Sequence, residues 1–289
     1  MLHVKRLFFF FYYSIKKYIV RRRSPWDYFW NDYYRRLSCH HHLRIIRHSR
    51  GEILVRFQQQ GFPPLRGYLR IASSDPAPYM QVFVQGEYAP LIELIEKNRD
   101  ARSIHHIVDA GGNIGMTTLY LKQRFPQARI LVVEPDASNF AQVQKNIQVN
   151  AFTDIEPVQA GVWKTDTFLS ITQPVGLMNQ TSLVVTESAT PTSLKGVTIG
   201  TLADGQGFPV IDVLKMDIEG TEAVLFRDPD FREMLVKRVR YLALEIHAST
   251  GAAPEIHRFF DENQFSYTEA SETTFAANRN LTAQQSMPV

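Results

Sequence analysis

Residues 108–115 read Val108-Asp109-Ala110-Gly111-Gly112-Asn113-Ile114-Gly115, and this stretch decides the fold. It ends an apolar run that begins at residue 104. It opens into a helical pattern over 116–125, which Pro126 stops. A strand that turns through glycines into a helix is the repeating unit of a parallel α/β sheet. The alternation carries on downstream. Residues 128–133 read as a strand ending at Glu134, 138–149 as a helix with Ser or Asn as its cap, and 155–161 as a strand. Further strands fall at 211–216 and 239–246, helices near 221–226 and 255–262, and a last strand begins over 265–267. Upstream, 52–57 and 81–84 read as short strands, and 90–98 as a helix with Pro near its first turn. The fold class is therefore α/β, a doubly wound, Rossmann-like sheet with helices on both faces. Residues 164–206, rich in Thr, Ser and Gly, break the rhythm. Strand fragments are expected there at 182–185 and 197–199, and an excursion of this length reads as a functional insertion.

The glycine loop sits where nucleotide-type ligands bind in such sheets, between a strand end and a helix N-terminus. A dinucleotide fingerprint needs glycine at the first, third and sixth loop positions. Counted from Gly111, those positions hold Gly111, Asn113 and Met116, so two of the three fail. An acid, Asp109, heads the loop instead. It would repel a pyrophosphate and suits a ligand with cationic groups, such as the amine and sulfonium of S-adenosylmethionine. Nineteen residues past Gly115, Glu134 ends the next strand, where an acid accepts the two ribose hydroxyls of such a ligand. The alternative for both acids is a strand-end carboxylate satisfied by nearby backbone N–H groups.

A second stretch, Ile211-Asp212-Val213-Leu214-Lys215-Met216-Asp217-Ile218-Glu219-Gly220-Thr221-Glu222, carries charge at the end of a buried strand. Strand alternation puts Lys215, Asp217 and Glu219 on one side. The following strand ends Leu244-Glu245-Ile246-His247. Ligands of doubly wound sheets lie outside the carboxyl ends of the strands, so Asp217, Glu219 and His247 are expected to converge near the methyl donor.

With these motifs, VDAGGNIG followed by VVEPD, then IDVLKMDIEGTEAVLF and LALEIH, the chain resembles the FkbM family of S-adenosylmethionine-dependent methyltransferases over about residues 80–247. KMDIEGTE is the more specific signal, since many class I methyltransferases share the glycine loop. FVQGEYAPLIELI, TSLVV and TIGTLAD also resemble the family's lead-in and middle segment. Gly112 stands where the family often has Ala, an exchange expected to be harmless, and Ala203 where an acid is expected. The resemblance implies a class I methyltransferase sheet of seven strands with the last antiparallel. It implies methyl transfer to oxygen, on a hydroxyl of a sugar, polysaccharide or natural-product acceptor. It places Asp109, Gly111, Gly112, Asn113 and Gly115 on the methionine and ribose side of the cofactor, with Asp217 beside them and Glu134 on the ribose. Asp136, Gly161 or Val162 would pack the adenine.

Displacement at a sulfonium needs in-line placement and removal of the hydroxyl proton. His247 suits the base by residue type and Asp217 by position, one serving as base and the other orienting it, with Glu219 beside them. The same Asp217, Glu219 and His247 offer the ligand set for a divalent cation such as Mg2+, which would lower the hydroxyl's pKa. His247 as a core histidine bonded to backbone is the structural alternative. A different class of function, a catalytically inactive scaffold that still binds adenosylmethionine, would bind the cofactor without turnover.

Composition divides the chain in another way. The first fifty residues hold 12 Lys and Arg against 2 Asp and Glu, or +10, while the rest hold 20 against 27, or −7. Hydrophobic content of 44% and charge of 21% exclude disorder as a description of the whole. The expected organisation is a basic, aromatic extension over 1–50, a lead-in on the substrate side over 51–103, and a cofactor-binding domain over 104–289. The extension reads as a membrane-surface or docking arm. Residues 5–23, with LFFFFYYSI between cations, would make a peripheral membrane contact through anionic lipid. The apolar run is too short to span a bilayer. Nucleic acid is not expected as a partner, because the acidic body would repel it. A lone Cys39, beside His40, His41 and His42, excludes an internal disulfide and reads as part of a polar turn. The location implied is cytoplasmic, peripheral at the inner face of the membrane. Residues 164–206 and the pair Glu87-Tyr88 are expected to shape the acceptor pocket.

Overall fold

The computed structural model describes residues 43–49, 51–70, 73–98, 103–172 and 184–282. The expectations for the arm at 5–23 and for Cys39 with its histidine neighbours lie outside these residues.

The described residues begin with a three-stranded antiparallel sheet of β1 (Arg44–His48), β2 (Glu52–Phe57) and β3 (Leu65–Arg70). Strand β1 lies before residue 50, so the expected boundary there falls between two paired strands, and 44–48 belong to this sheet. A short helix, α1 (Pro76–Tyr79), passes directly into a π-helical turn at Met80–Val84. The expectation of a strand at 81–84 is thus corrected. Packing decides it: Phe83 meets the rings of Phe57 at 4.6 Å and Tyr120 at 5.8 Å, while Val82 is buried. Helix α2 (Ala89–Asn98) follows, burying Leu91, Ile92 and Ile95.

The main layer is built from β4 (His106–Ala110), α3 (Met116–Arg124), β5 (Arg129–Val133), α4 (Ala137–Val149) and β6 (Ile155–Val158). Asp136 caps α4, its side chain accepting from the Asn139 N–H at 2.8 Å, where Ser or Asn had been expected. A carboxylate at this position also complements the helix dipole. The strand expected over 155–161 ends at Val158, and the chain leaves for a second sheet of β7 (Gly161–Val162), β8 (Thr167–Thr172), β9 (Val184–Ser188) and β10 (Leu194–Val197), ordered β7-β10-β8-β9. The described parts of the excursion, 164–172 and 184–206, therefore carry strands and are closed by α5 (Ile199–Gly205), whose Ala203 is buried.

The chain returns through β11 (Ile211–Met216), buried at all six positions, then α6 (Glu222–Phe226) and α7 (Pro229–Arg238), a helix the sequence pattern did not announce. It finishes with β12 (Val239–Glu245), α8 (Ala253–Glu262), β13 (Phe265–Ala270), β14 (Thr273–Asn278) and α9 (Arg279–Thr282). The seven-stranded sheet runs β13-β14-β12-β11-β4-β5-β6, with β14 antiparallel to both neighbours and the other strand pairs parallel. This is the expected sheet, including its antiparallel last strand.

Alternation splits the core between the two faces. Ile107, Ile130, Val213, Tyr241 and Ala243 join the cluster that includes Ile53, Phe57, Tyr88 and Leu91, so the segment before residue 104 shares its core with the sheet. Val108, Leu131, Leu214 and Leu242 pack with Phe226, Phe259 and Phe260 on the other face. Among the described residues, no helix is long and apolar enough to cross a membrane.

Candidate functional site

The glycine loop is shaped by close backbone approach. Gly111 has φ 79°, and a Cβ there would stand 1.7 Å from the Asp217 carbonyl oxygen. The loop and the end of β11 therefore touch main chain to main chain, which glycine alone permits. Gly115 is also left-handed, at φ 85°, and forms the N-terminal boundary of α3. A Cβ on Gly112 would lie 2.3 Å from Val132 Cγ2, in a fully buried side chain. The exchange to Ala expected to be harmless is therefore opposed by packing in this chain.

Beneath the loop lies a buried ion pair. Lys215 stands directly opposite Asp109 in the β11–β4 register, and its Nζ is 3.3 Å from Asp109 Oδ1. The ammonium also donates to the Gly111 carbonyl at 2.6 Å, and Asp217 Oδ2 lies 3.9 Å away. Burial pulls the Lys215 pKa down, but the opposing charges, Asp109 foremost, outweigh it and hold the pKa above its ordinary value. Asp109 is fully buried, and its other oxygen accepts from Thr118 Oγ1 at 2.6 Å. Asp109, expected to meet a cationic ligand, has its charge opposed by Lys215, and the pair anchors the loop from below.

Glu134, at the end of β5, faces the loop. Its carboxylate accepts from the Asn113 N–H at 2.7 Å and the Asp136 N–H at 2.9 Å. Burial raises its pKa to about 7, against the lowering effect of those two bonds. Each oxygen keeps a further lone pair for a ligand hydroxyl. Asp136 spends its side chain on the α4 cap, and Gly161 is buried against Leu169, where a Cβ would stand 2.8 Å from Leu169 Cδ1.

The acids and the histidine converge at the carboxyl ends of β11 and β12. Asp217 and Glu245 extend the register that pairs Lys215 with Ala243. His247 is about a quarter exposed, and its Nδ1 lies 3.1 Å from Glu222 Oε1, in a carboxylate with no exposed surface. Its Nε2 lies 3.6 Å from Glu219 and 3.9 Å from Glu245. The hydrogen bond to Glu222 is the main cause that raises the His247 pKa to about 9. Burial, then the charge of Asp217, raises that of Glu245 to about 7. Glu87, from the segment before α2, accepts from Thr273 Oγ1 at 3.4 Å, and its pKa is also raised, by burial first.

Two expectations change here. The group that orients His247 is Glu222, where Asp217 had been expected. The residues that present ligand atoms together, all within 4.8 Å, are Asp217, Glu245 and His247, with Glu245 in the place expected for Glu219. Glu219 is 69% exposed, on a left-handed backbone at φ 54°. Glu222 and Glu245 were both visible in the strings DIEGTE and LALEIH, but linear spacing does not say which carboxylate reaches the imidazole.

The Methyltransferase FkbM domain family matches residues 109–267. Methyltransferase 1 of Beauveria bassiana (strain ARSEF 2860) is 42% identical over 66 residues, covering 23% of this chain and 26% of that protein. Methyltransferase sdnD of Sordaria araneosa is 28% identical over 193 residues, covering 56% of this chain and 74% of that protein. This chain thus spans about a quarter of the first relative's length and about three quarters of the second's. A solved structure of methyltransferase FkbM from Methylobacillus flagellatus KT aligns with TM-score 0.43 and 16% identity, covering 60% of this chain and 43% of that one.

Proposed function

Because the chain belongs to the FkbM methyltransferase family, we propose that it moves a methyl group from S-adenosylmethionine to a hydroxyl oxygen of a sugar, polysaccharide or natural-product acceptor. The observation that carries this reading is the joining of two devices at adjacent strand ends. One is a glycine loop faced by Glu134. The other is a histidine held by a buried carboxylate, with Asp217 and Glu245 beside it.

Bound adenosylmethionine supplies an electrophilic methyl on a sulfonium. Gly111, Gly112, Asn113 and Gly115 would give the backbone close access to it, and Glu134 would accept hydrogen bonds from its ribose hydroxyls. Asp217, held to the loop through its main-chain contact with Gly111, sets the distance between the cofactor and the proton-accepting groups. Near neutral pH, His247 is protonated and Glu245 is close to its midpoint. The acceptor's proton therefore goes to the ionised form of Glu245, beside the His247 imidazolium whose ring orientation is set by Glu222. Proximity does the rest, since in-line displacement needs placement above all.

Calorimetric titration with adenosylmethionine, followed by transfer of labelled methyl to glycan and small-molecule fractions, tests the reading. Binding with transfer that falls in His247→Ala and Glu245→Gln supports it. Binding without transfer to any fraction would favour the inactive scaffold. No binding would overturn both.

A divalent cation such as Mg2+ is a second reading of the same residues, favoured by the mutual distances of Asp217, Glu245 and His247. The hard carboxylates suit such an ion, and His247 has the outer carboxylate that ligating histidines usually have. It would polarise the acceptor hydroxyl. Transfer that is unchanged in EDTA sinks this reading and leaves the first intact.

A further inference from the structure

The outer face of the small N-terminal sheet carries charge that nothing in the described structure neutralises. Arg44 lies directly opposite Arg56, and Arg56 directly opposite Arg66, so three arginines form one row across three strands. Burial alternates along β2, with Ile53, Val55 and Phe57 buried and Arg56 pointing to the other face. On β3, Leu65, Gly67 and Leu69 are buried and Arg66 is exposed. Strands lie about 4.8 Å apart, and like charges directly opposite one another destabilise a sheet. Such a row is costly unless an anion covers it.

A bulge adds to the row. The register slips between Ile45 and Arg47, so that Ile45 faces Val55 inward and Arg47 faces Leu54 outward. Without the extra residue, Arg47 would point into the core. The inserted residue, Ile46, is 50% exposed and is the one large exposed hydrophobic side chain among the described residues. Arg44, Arg47, Arg56 and Arg66 make no ion pair among the described residues. Other cations of this region are paired: Arg70 with Asp75, and Lys145 with Glu52.

We propose that this sheet face docks the protein on an anionic membrane surface. The flat row is wider than one phosphate, and an apolar side chain set among arginines suits the boundary of headgroup and acyl chain. The chain's own N-terminal residues do not complement the face, because 1–42 are themselves rich in Lys and Arg, with Asp27 and Asp32 as the acids. The surface is held firmly to the catalytic body. Asn146 and Asn150 of α4 accept from the Tyr68 and Arg66 N–H groups at 2.6 and 2.9 Å. This inference is independent of the reading of the site, and its failure would leave that reading untouched.

The test is sedimentation of the full-length chain with phosphatidylcholine vesicles, with and without phosphatidylglycerol. The wild type is expected to pellet with the anionic vesicles alone and to be released by salt. Arg44→Ser/Arg56→Ser/Arg66→Ser should weaken vesicle binding about a hundredfold, since each cation near such a surface contributes roughly a factor of five. Wild-type binding by the triple variant overturns the proposal. If thermal melting shows the triple variant unfolded, Arg47→Ser and Ile46→Ser on the edge strand carry the test, with a severalfold loss expected and no loss overturning it. Anisotropy with a labelled single-stranded oligonucleotide runs in parallel. A loss there, with vesicle binding intact, would assign the face to nucleic acid and also overturn the proposal.

Discussion

His247 Nδ1 stands 3.1 Å from Glu222 Oε1, across a sequence separation of 25 residues, and the carboxylate it meets is fully buried. The bond fixes the ring so that Nε2 faces Glu219 and Glu245. It also stabilises the imidazolium, which is why the pKa rises to about 9. The sign follows from linkage. A histidine whose folded pKa lies above its unfolded value contributes stability that is complete below about pH 6.5 and is lost as pH rises through about 9.

Glu222→Gln should therefore return the His247 titration toward its ordinary range, as followed by NMR of the imidazole protons. Urea denaturation should show the wild type losing on the order of 3 kcal/mol between pH 6 and pH 10 through this group, with much of that dependence absent in the variant. A histidine titration that does not move would show that another group raises it.

Lys215→Met should be among the most damaging single changes in the chain. It leaves Asp109 buried and unpaired and removes the clamp on the Gly111 carbonyl, at a cost of about 3–5 kcal/mol. Adding Asp109→Asn should recover part of that loss, because the orphaned charge is then gone. Denaturant midpoints of the two variants make the comparison. Equal midpoints would mean that the loop clamp, and not the buried charge, dominates.

Gly112→Ala should destabilise by about 1–3 kcal/mol, because the new methyl meets Val132 Cγ2. Val132→Ala on the same background should relieve the clash, at the cost of a small cavity. Gly111→Ala has no such relief, since the obstacle is main chain and φ is positive. It should abolish cofactor binding in a calorimetric titration or prevent folding outright.

Cofactor binding should release protons near neutral pH. Burial holds Glu134 at about 7, so about half of the free protein carries a proton there at pH 7. Ribose hydroxyls donate to the carboxylate and so favour its ionised form. Titrations in buffers of different ionisation enthalpy should show a release of up to about half a proton per cofactor at pH 7, absent in Glu134→Gln. Affinity should fall as pH drops below 7. A pH-independent enthalpy and affinity would remove Glu134 from the ribose.

Local pattern was enough for the sheet and the loop. The five parallel strands follow from apolar runs of four to seven residues broken by turn residues, and Gly111 and Gly115 mark left-handed turns that few other residues adopt. Strand β14 does not follow from pattern, and the count of seven comes from the family resemblance. Pattern misled where the run was short. Residues 81–84 are equally compatible with strand and helix, and only the rings of Phe57, Tyr79 and Tyr120 settled the outcome.

By itself, the sequence determined that a glycine loop would stand at a strand end, with Glu134 at the end of the next strand and Asp217 and His247 at the ends of later ones. These follow from periodicity and from the chemistry of glycine, which are properties of the chain. Only the tertiary structure decided partnership. Lys215 neutralises Asp109 because β4 and β11 pair in that register, and Glu245 displaces Glu219 because β12 runs parallel to β11. Glu222 finds His247 because α6 turns back beneath the strand end. The arginine row exists because three strands align, and the bulge in β1 turns Arg47 to the same face. Register is a relation between strands, set by burial of their other faces, and a linear sequence does not display it.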